Sequence, residues 1–393
     1  MKKHQLYLFF LTLILSSNFS LAQTKLMQLQ LEGKKYETMY LRANLYRLND
    51  SSIEIKGKSN DGSNWEFAIP DSIVSHTQWY DIRTGEYDSL QKKVFEAGLI
   101  AVYRNDTIDG KTGRLFPLYD DKMPVLRMKY VKSEVSNETN YQVTDSLIME
   151  NGQLVTDYFL LNPIIEGSDF AIELENPQIS MPSLCDDNQV FIYTLDSLSQ
   201  KYPDSRYLMM QASVYTVFRA NKTEGKKIYN NFTKANRDTF WGQRMKKYLY
   251  TFQFQNMKLP TSTNLKNEEQ VIVDSKKYNL IVFSASWCEP CRKEIPILKQ
   301  VYNDLNRKLD MVYISLDNVK TVAAWQKLIN VESIPWRSLS AYENINKVQQ
   351  QYNVVFGIPC ILLVAPNGTA EFLDVRKAED KQRLYQLLGN SSN

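Results

Sequence analysis

Five residues constrain this chain more than any others. Trp287-Cys288-Glu289-Pro290-Cys291 follow directly on an apolar run, Leu280-Ile281-Val282-Phe283, and open an amphipathic helix. A buried strand that turns into a helix and carries two cysteines two residues apart can form and break a disulfide reversibly. That spacing reads as thiol–disulfide exchange chemistry on an α/β scaffold.

The thiolate is the nucleophile in such exchange. A helix N-terminus favours it by setting backbone N–H dipoles against the sulfur. Cys288 is therefore expected to be the exposed attacking thiol. Cys291 lies one turn on, in an apolar stripe through Ile295, Leu298, Tyr302, Leu305 and Leu309, and is expected to resolve the mixed disulfide. Pro290 suits a first helical turn, where a missing N–H costs little. Glu289 suits the helix dipole but opposes thiolate formation. A less stabilised thiolate means a more stable disulfide, so Glu289 tilts the expected direction toward reduction. The competing readings are a structural disulfide and half of a zinc site. A zinc ribbon needs a second such pair, and the two other cysteines, Cys185 and Cys360, stand far apart.

The segments around the pentapeptide alternate strand and helix from about residue 257 to the C-terminus. Strands are expected over 279–285, 311–316, 359–365 and 370–375, with Asn367-Gly368 as a hairpin turn. Helices are expected over 288–307 and 319–329, around Val348, and around Leu384 and Leu388. This pattern predicts an α/β domain with a mixed sheet.

Trp287 to Cys291, Pro296 beyond them and Gly357-Ile358-Pro359 before a strand together resemble the thioredoxin superfamily. Within it, Cys288-Glu289-Pro290-Cys291 followed by Arg292-Lys293-Glu294-Ile295-Pro296 is similar to the exported TlpA/ResA-type thiol–disulfide oxidoreductases. The likeness covers 257–393. It implies a cis bond at Ile358-Pro359 facing the cysteines, with the backbone there pairing an extended substrate segment. Trp287, Ile358 and Pro359 are thus the implied substrate contacts, and Glu294 the acid that tunes the cysteines. Ordinary thioredoxins keep a buried Asp six residues before the first cysteine, where this chain has Val282. A peroxiredoxin-like site fits poorly, with Ala285 and Ile281 at its key positions. The resemblance implies no cofactor; protein disulfides are the implied substrates, and a membrane or envelope thiol is the implied electron donor.

The rest of the chain sets the context. Its 393 residues suit two or three domains at ~150 residues each. Met1-Lys2-Lys3-His4, the apolar Leu6–Leu15 and Ser20-Leu21-Ala22 read as a signal peptide over 1–22. Export to the periplasm or cell envelope is expected, with no later segment able to span a membrane. Removing Lys2 and Lys3 takes the formal charge from +3 to +1, which leaves no electrostatic case for nucleic acid. Of two histidines, His4 leaves with the leader, and His76 alone builds no multi-histidine metal site.

Residues 23–183 read as a β-rich domain, a sandwich or open barrel, with strands at 27–31, 52–55, 65–69, 126–131 and 170–174. Residues 184–256 read as a helical spacer. There Trp241, Met245, Tyr248 and Phe252 share one helical face, a helix ends near Tyr202-Pro203, and Asp204 or Ser205 caps the next. The expectation is a multidomain exported disulfide reductase. The contrasting one is an envelope binding protein whose thioredoxin fold, at 257–393, is a scaffold.

Overall fold

The structure, a computed structural model, describes residues 24–45, 52–84, 87–88, 93–94, 98–103, 120–136, 154–180, 187–354 and 357–389. The leader and Cys185 lie outside the described residues. Two compact units divide the chain. One runs to Asp186 and includes Ser205–Leu208; the other comprises Asp187–Asp204 and the chain from Met209 onward.

In the first unit, Asn64-Trp65-Glu66-Phe67-Ala68-Ile69 buries every second side chain, the signature of a strand with one face on a core. Among the described residues this unit holds ten strands: β1 (Thr24–Glu32), β2 (Met39–Leu45), β3 (Ser52–Lys56), β4 (Asn64–Pro70), β5 (Thr77–Thr84), β6 (Tyr87–Asp88), β7 (Lys93–Val94), β8 (Gly98–Tyr103), β9 (Val125–Ser136) and β10 (Leu154–Leu161). Eight of them form one sheet in the order β3-β2-β5-β8-β10-β9-β1-β4, and β6 pairs with β7. The outermost strands, β3 and β4, approach through reciprocal backbone bonds of 2.9 Å between Lys58 and Glu66. The sheet therefore curls toward closure and protects its edges. Leu29, Leu41, Phe67, Ile82, Met128 and Phe159 fill its interior. Of the sequence-based alternatives, barrel-like closure is the one observed.

One expected strand is wrong. Phe170–Leu174 lies in helix α2 (Asp169–Glu175), which follows the short α1 (Asp71–His76) and precedes α3 (Pro177–Ser180). The Ser168 hydroxyl accepts from the Ala171 N–H at 3.1 Å, so an N-cap overrides the β-favouring composition of the segment.

The second unit begins with helices α4 (Asn188–Lys201), α5 (Arg206–Arg219), α6 (Lys222–Asn231), α7 (Lys234–Arg237) and α8 (Phe240–Leu249). The break at Tyr202-Pro203 is observed, and the Ser205 hydroxyl caps α5 by accepting from the Leu208 N–H at 3.0 Å. Phe252 is not on the α8 face. The helix stops at Leu249, and Tyr250 turns extended into β11 (Phe252–Gln253).

Beyond it come β12 (Lys258–Pro260), β13 (Glu268–Gln270), β14 (Tyr278–Ser284), α9 (Glu289–Leu305), β15 (Leu309–Ser315), α10 (Val322–Val331), β16 (Arg337–Ser340), α11 (Ile345–Tyr352), β17 (Cys360–Val364), β18 (Thr369–Leu373) and α12 (Ala378–Gly389). The six-stranded sheet runs β11-β18-β17-β14-β15-β16. β14, β15 and β16 are parallel; β17, β18 and β11 alternate against them. Leu280 and Val282 point to a core with Leu298, Val301 and Leu305 of α9, while Ile281 and Phe283 point to the other face with Val348 and Tyr352 of α11. This α/β arrangement is a thioredoxin fold.

Apart from Ser205–Leu208, residues 188–249 lie in the same compact unit as this sheet. Lys222 Nζ donates to the Phe372 carbonyl at 2.6 Å, and Lys247 Nζ to the Gln351 carbonyl at 2.9 Å.

Candidate redox site

β14 is a central strand buried on both faces, and it ends at Ser284 beside the start of α9. Four residues later Cys288 occupies the N-cap position, with extended backbone. Its Sγ accepts from the Cys291 N–H at 3.2 Å, one of the donors a helix start leaves without a helical partner. Cys288 and Cys291 are joined as a disulfide, with their Cα atoms 5.3 Å apart. Pro290 sits in the first turn, as its missing N–H allows.

The expected exposure of Cys288 is corrected. It is 5% exposed and Cys291 2%, and both pack with Ala285 and Ile358. Cys288 Sγ lies 3.6 Å from the Ile358 carbonyl oxygen. The Ile358-Pro359 bond is cis, as the family resemblance implies. Trp287 is 60% exposed, so an indole surface stands next to the buried disulfide. The structure thus brings together Trp287, Cys288, Cys291, Ile358 and Pro359.

Cys360 follows Pro359 but belongs to the core on the α11 face of the sheet, opposite the α9 face. There it is a small buried residue of the core. His76 ends α1, in the other unit.

The two glutamates differ sharply. Glu289 is exposed and held by Lys293 one turn on, at 2.8 Å. That ammonium offsets its charge, which weakens the case for Glu289 as the group opposing a thiolate. Glu294 lies three residues past Cys291 on the same helical face and is 2% exposed. Among the described residues neither of its carboxylate oxygens has a hydrogen-bond partner. Burial pushes its pKa up to about 7, with Arg376 pulling down and Asp374 pushing further up. A carboxyl near neutrality is suited to taking and giving a proton.

Asp317 is a positioning residue the sequence reading did not single out. Fully buried after β15, it accepts from the Ser286 N–H at 2.8 Å, the Ser286 hydroxyl at 2.5 Å and the Ser315 hydroxyl at 2.8 Å. It pins the loop two residues before Cys288. The available signal was its place just past the C-terminal end of a parallel strand, where α/β folds gather functional groups.

A thioredoxin-like family model matches residues 275–370. Probable nucleoredoxin 1 of Arabidopsis thaliana is 31% identical over 106 residues, which are 25% of this chain and 18% of that protein. A thioredoxin-like protein of Synechocystis sp. is 32% identical over 69 residues, 18% of this chain and 63% of that protein. The chain thus spans less than two thirds of the length of either relative. Among solved structures, the thioredoxin domain of a thiol-disulfide oxidoreductase from Bacteroides vulgatus aligns at 22% identity, covering 35% of this chain and 96% of that one, with TM-score 0.32. A thiol-disulfide oxidoreductase from Bacteroides fragilis aligns at 23% identity, covering 35% and 100%, with TM-score 0.31. Residues 275–370 thus match a thioredoxin-like domain by the family model, and the disulfide stands at the start of the helix Glu289–Leu305 within that stretch.

Proposed function

We propose that this chain is an exported disulfide reductase of the TlpA/ResA type. The 1–22 leader carries it to the periplasm or cell envelope. The observation that carries the reading is a disulfide at a helix start, under a cis-proline loop, with a buried carboxyl one turn beyond.

In the reduced form the Cys288 thiolate attacks a substrate disulfide. One S–S bond breaks and a Cys288–substrate bond forms, with the first substrate sulfur leaving as thiolate. Cys291 then gives its proton to Glu294 and attacks Cys288 Sγ. The Cys288–Cys291 bond forms, the second substrate sulfur leaves, and both substrate thiolates take up protons. Two electrons pass from the cysteine pair to the substrate; a dithiol donor at the membrane or in the envelope restores them. An anionic Glu294 beside Cys291 disfavours a neighbouring thiolate, which stabilises the disulfide and makes the pair a reductant. Ile358 presents a carbonyl 3.6 Å from Cys288 Sγ, placed to pair with an extended substrate segment, and Trp287 supplies apolar contact beside it. The β-rich 23–183 is proposed as an accessory domain and 184–256 as the segment joining it to 257–393.

The test is trapping in the native compartment. Cys291→Ser is expected to accumulate mixed disulfides through Cys288, and Cys288→Ser none. Absence of trapped partners, or a potential near the ~−120 mV of strong oxidants, would overturn the reductase reading.

A further inference from the structure

Arg376 lies in the turn between β18 and α12, far in sequence from the cysteines. Its Nε stands 3.7 Å from Glu294 Oε1, beyond hydrogen-bond reach. The same Nε donates to Asp374 Oδ1 at 2.7 Å, and Nη2 donates to Asp374 Oδ2 at 2.8 Å. Asp374 is itself fixed: its backbone N–H donates to Asp380 at 2.8 Å, and its Oδ1 also accepts from the Arg376 N–H at 3.1 Å. One guanidinium edge therefore faces two carboxylates. Asp374 holds it in a two-pronged grip, and Glu294 receives only its field.

We propose that Arg376 and Asp374 form a positioning pair that sets how readily Glu294 takes and releases the proton exchanged with Cys291. The inference rests on the reading of Glu294 as that proton acceptor. Geometry gives the two members opposite signs. The Arg376 charge favours an anionic Glu294. Asp374 disfavours it twice, by its own charge and by occupying the donors that would otherwise turn to Glu294. Few other groups face Glu294. Cys291 lies on its own helix, and the buried Tyr313 hydroxyl on β15 is perturbed by it. Lys377 acts on Asp374. The Arg376 side chain is 41% exposed, which places the pair at the boundary between the buried carboxyl and solvent.

The experiment follows the Glu294 side-chain carboxyl by carbon NMR in the full oxidised chain as pH is varied. Arg376→Gln is expected to raise its midpoint by about one unit, as loss of a charge at this distance does. Asp374→Asn is expected to lower it by a comparable amount, and Arg376→Lys to stay near wild type. A role limited to holding the turn would move both midpoints the same way or neither, and either result overturns the proposal. If Asp374→Asn does not fold, the contrast between Arg376→Gln and Arg376→Lys decides, and equal midpoints overturn it. Glu294→Gln separates the underlying reading. An unchanged cysteine titration in that variant refutes Glu294 as proton acceptor, whereas the carboxyl midpoints refute or sustain the pair.

Discussion

Buried carboxylates in the two units differ in how far their surroundings satisfy them. In the first unit Asp157 meets Lys34 Nζ at 2.5 Å and the Tyr36 hydroxyl at 2.5 Å. Asp169 accepts from the Ser205 hydroxyl at 2.5 Å and the Tyr207 N–H at 3.2 Å. In the second unit Glu294 has no hydrogen-bond donor among the described residues, and Arg376, at 3.7 Å, is gripped by Asp374 instead. An acid with donors has part of its desolvation cost offset where it sits, although burial still pushes Asp169 up to about 6. An unsatisfied one stores that cost as a readiness to hold a proton. Glu173 of the first unit also has a buried oxygen without a partner and a pKa pushed up to about 8 by burial, so it is the lack of a donor together with a place one turn past Cys291 that marks Glu294 as chemistry, while Asp157 and Asp169 are architecture.

The largest expected effect tests the architectural side. Asp157→Ala removes the acid, 3% exposed, of a half-buried ion pair with Lys34 and leaves the Tyr36 hydroxyl without its acceptor. A loss of about 3 kcal/mol is expected, the usual scale for breaking such a pair. Denaturant unfolding should show the first unit melting earlier, while the rate of exchange at Cys288 stays at wild type. A stability change under about 1 kcal/mol would erase the distinction drawn between the two units.

Glu294→Gln tests the other side and has the opposite sign. The folded-state pKa of Glu294, about 7, lies above its ordinary 4.5. Its contribution to stability is therefore fully present below pH 4.5 and lost as pH rises through about 7. At about 1.4 kcal/mol per unit, the loss above pH 7 reaches about 3 kcal/mol. The glutamine variant should be more stable than wild type at pH 8 by up to that amount, and the gain should vanish at pH 4. Parallel stability curves from pH 4 to 8 would show that Glu294 is satisfied after all.

How far this contrast was readable in advance depends on the range of the interactions. The strand, turn and helix around Cys288 are local, and β14 and α9 fall within two residues of their expected limits because periodicity, Pro290 and the apolar run agree. Glu294 was visible as a residue but not as a buried one, since a carboxylate three past Cys291 suits a solvated helix face equally well. What buries it comes from β15 and the 374–376 turn, and no local pattern reports that packing. Asp317 was missed for the same reason: its partner Ser286 belongs to another strand–helix connection. In the first unit the strands at 27–31 and 65–69 were legible from alternation, but their order in the sheet was not, because pairing such as β1 with β9 joins distant segments. Phe170–Leu174 was misread because one cap at Ser168 outweighs β-propensity in a short segment.

The smallest effect concerns Glu289, the acid that sequence reasoning credited with tuning the cysteines. An exposed carboxylate paired with Lys293 one turn on is worth about 0.3–0.5 kcal/mol, and salt screens it further. Its charge and that of Lys293 largely cancel at the cysteine pair. Glu289→Gln should leave the cysteine titration within about 0.3 units of wild type, and Lys293→Gln should shift it slightly upward by leaving Glu289 unopposed. Thiolate absorbance across pH reads both. A downward shift of a full unit in Glu289→Gln would return the tuning role to the exposed acid, and the buried, donorless Glu294 would then differ from the satisfied acids of the first unit in stability alone.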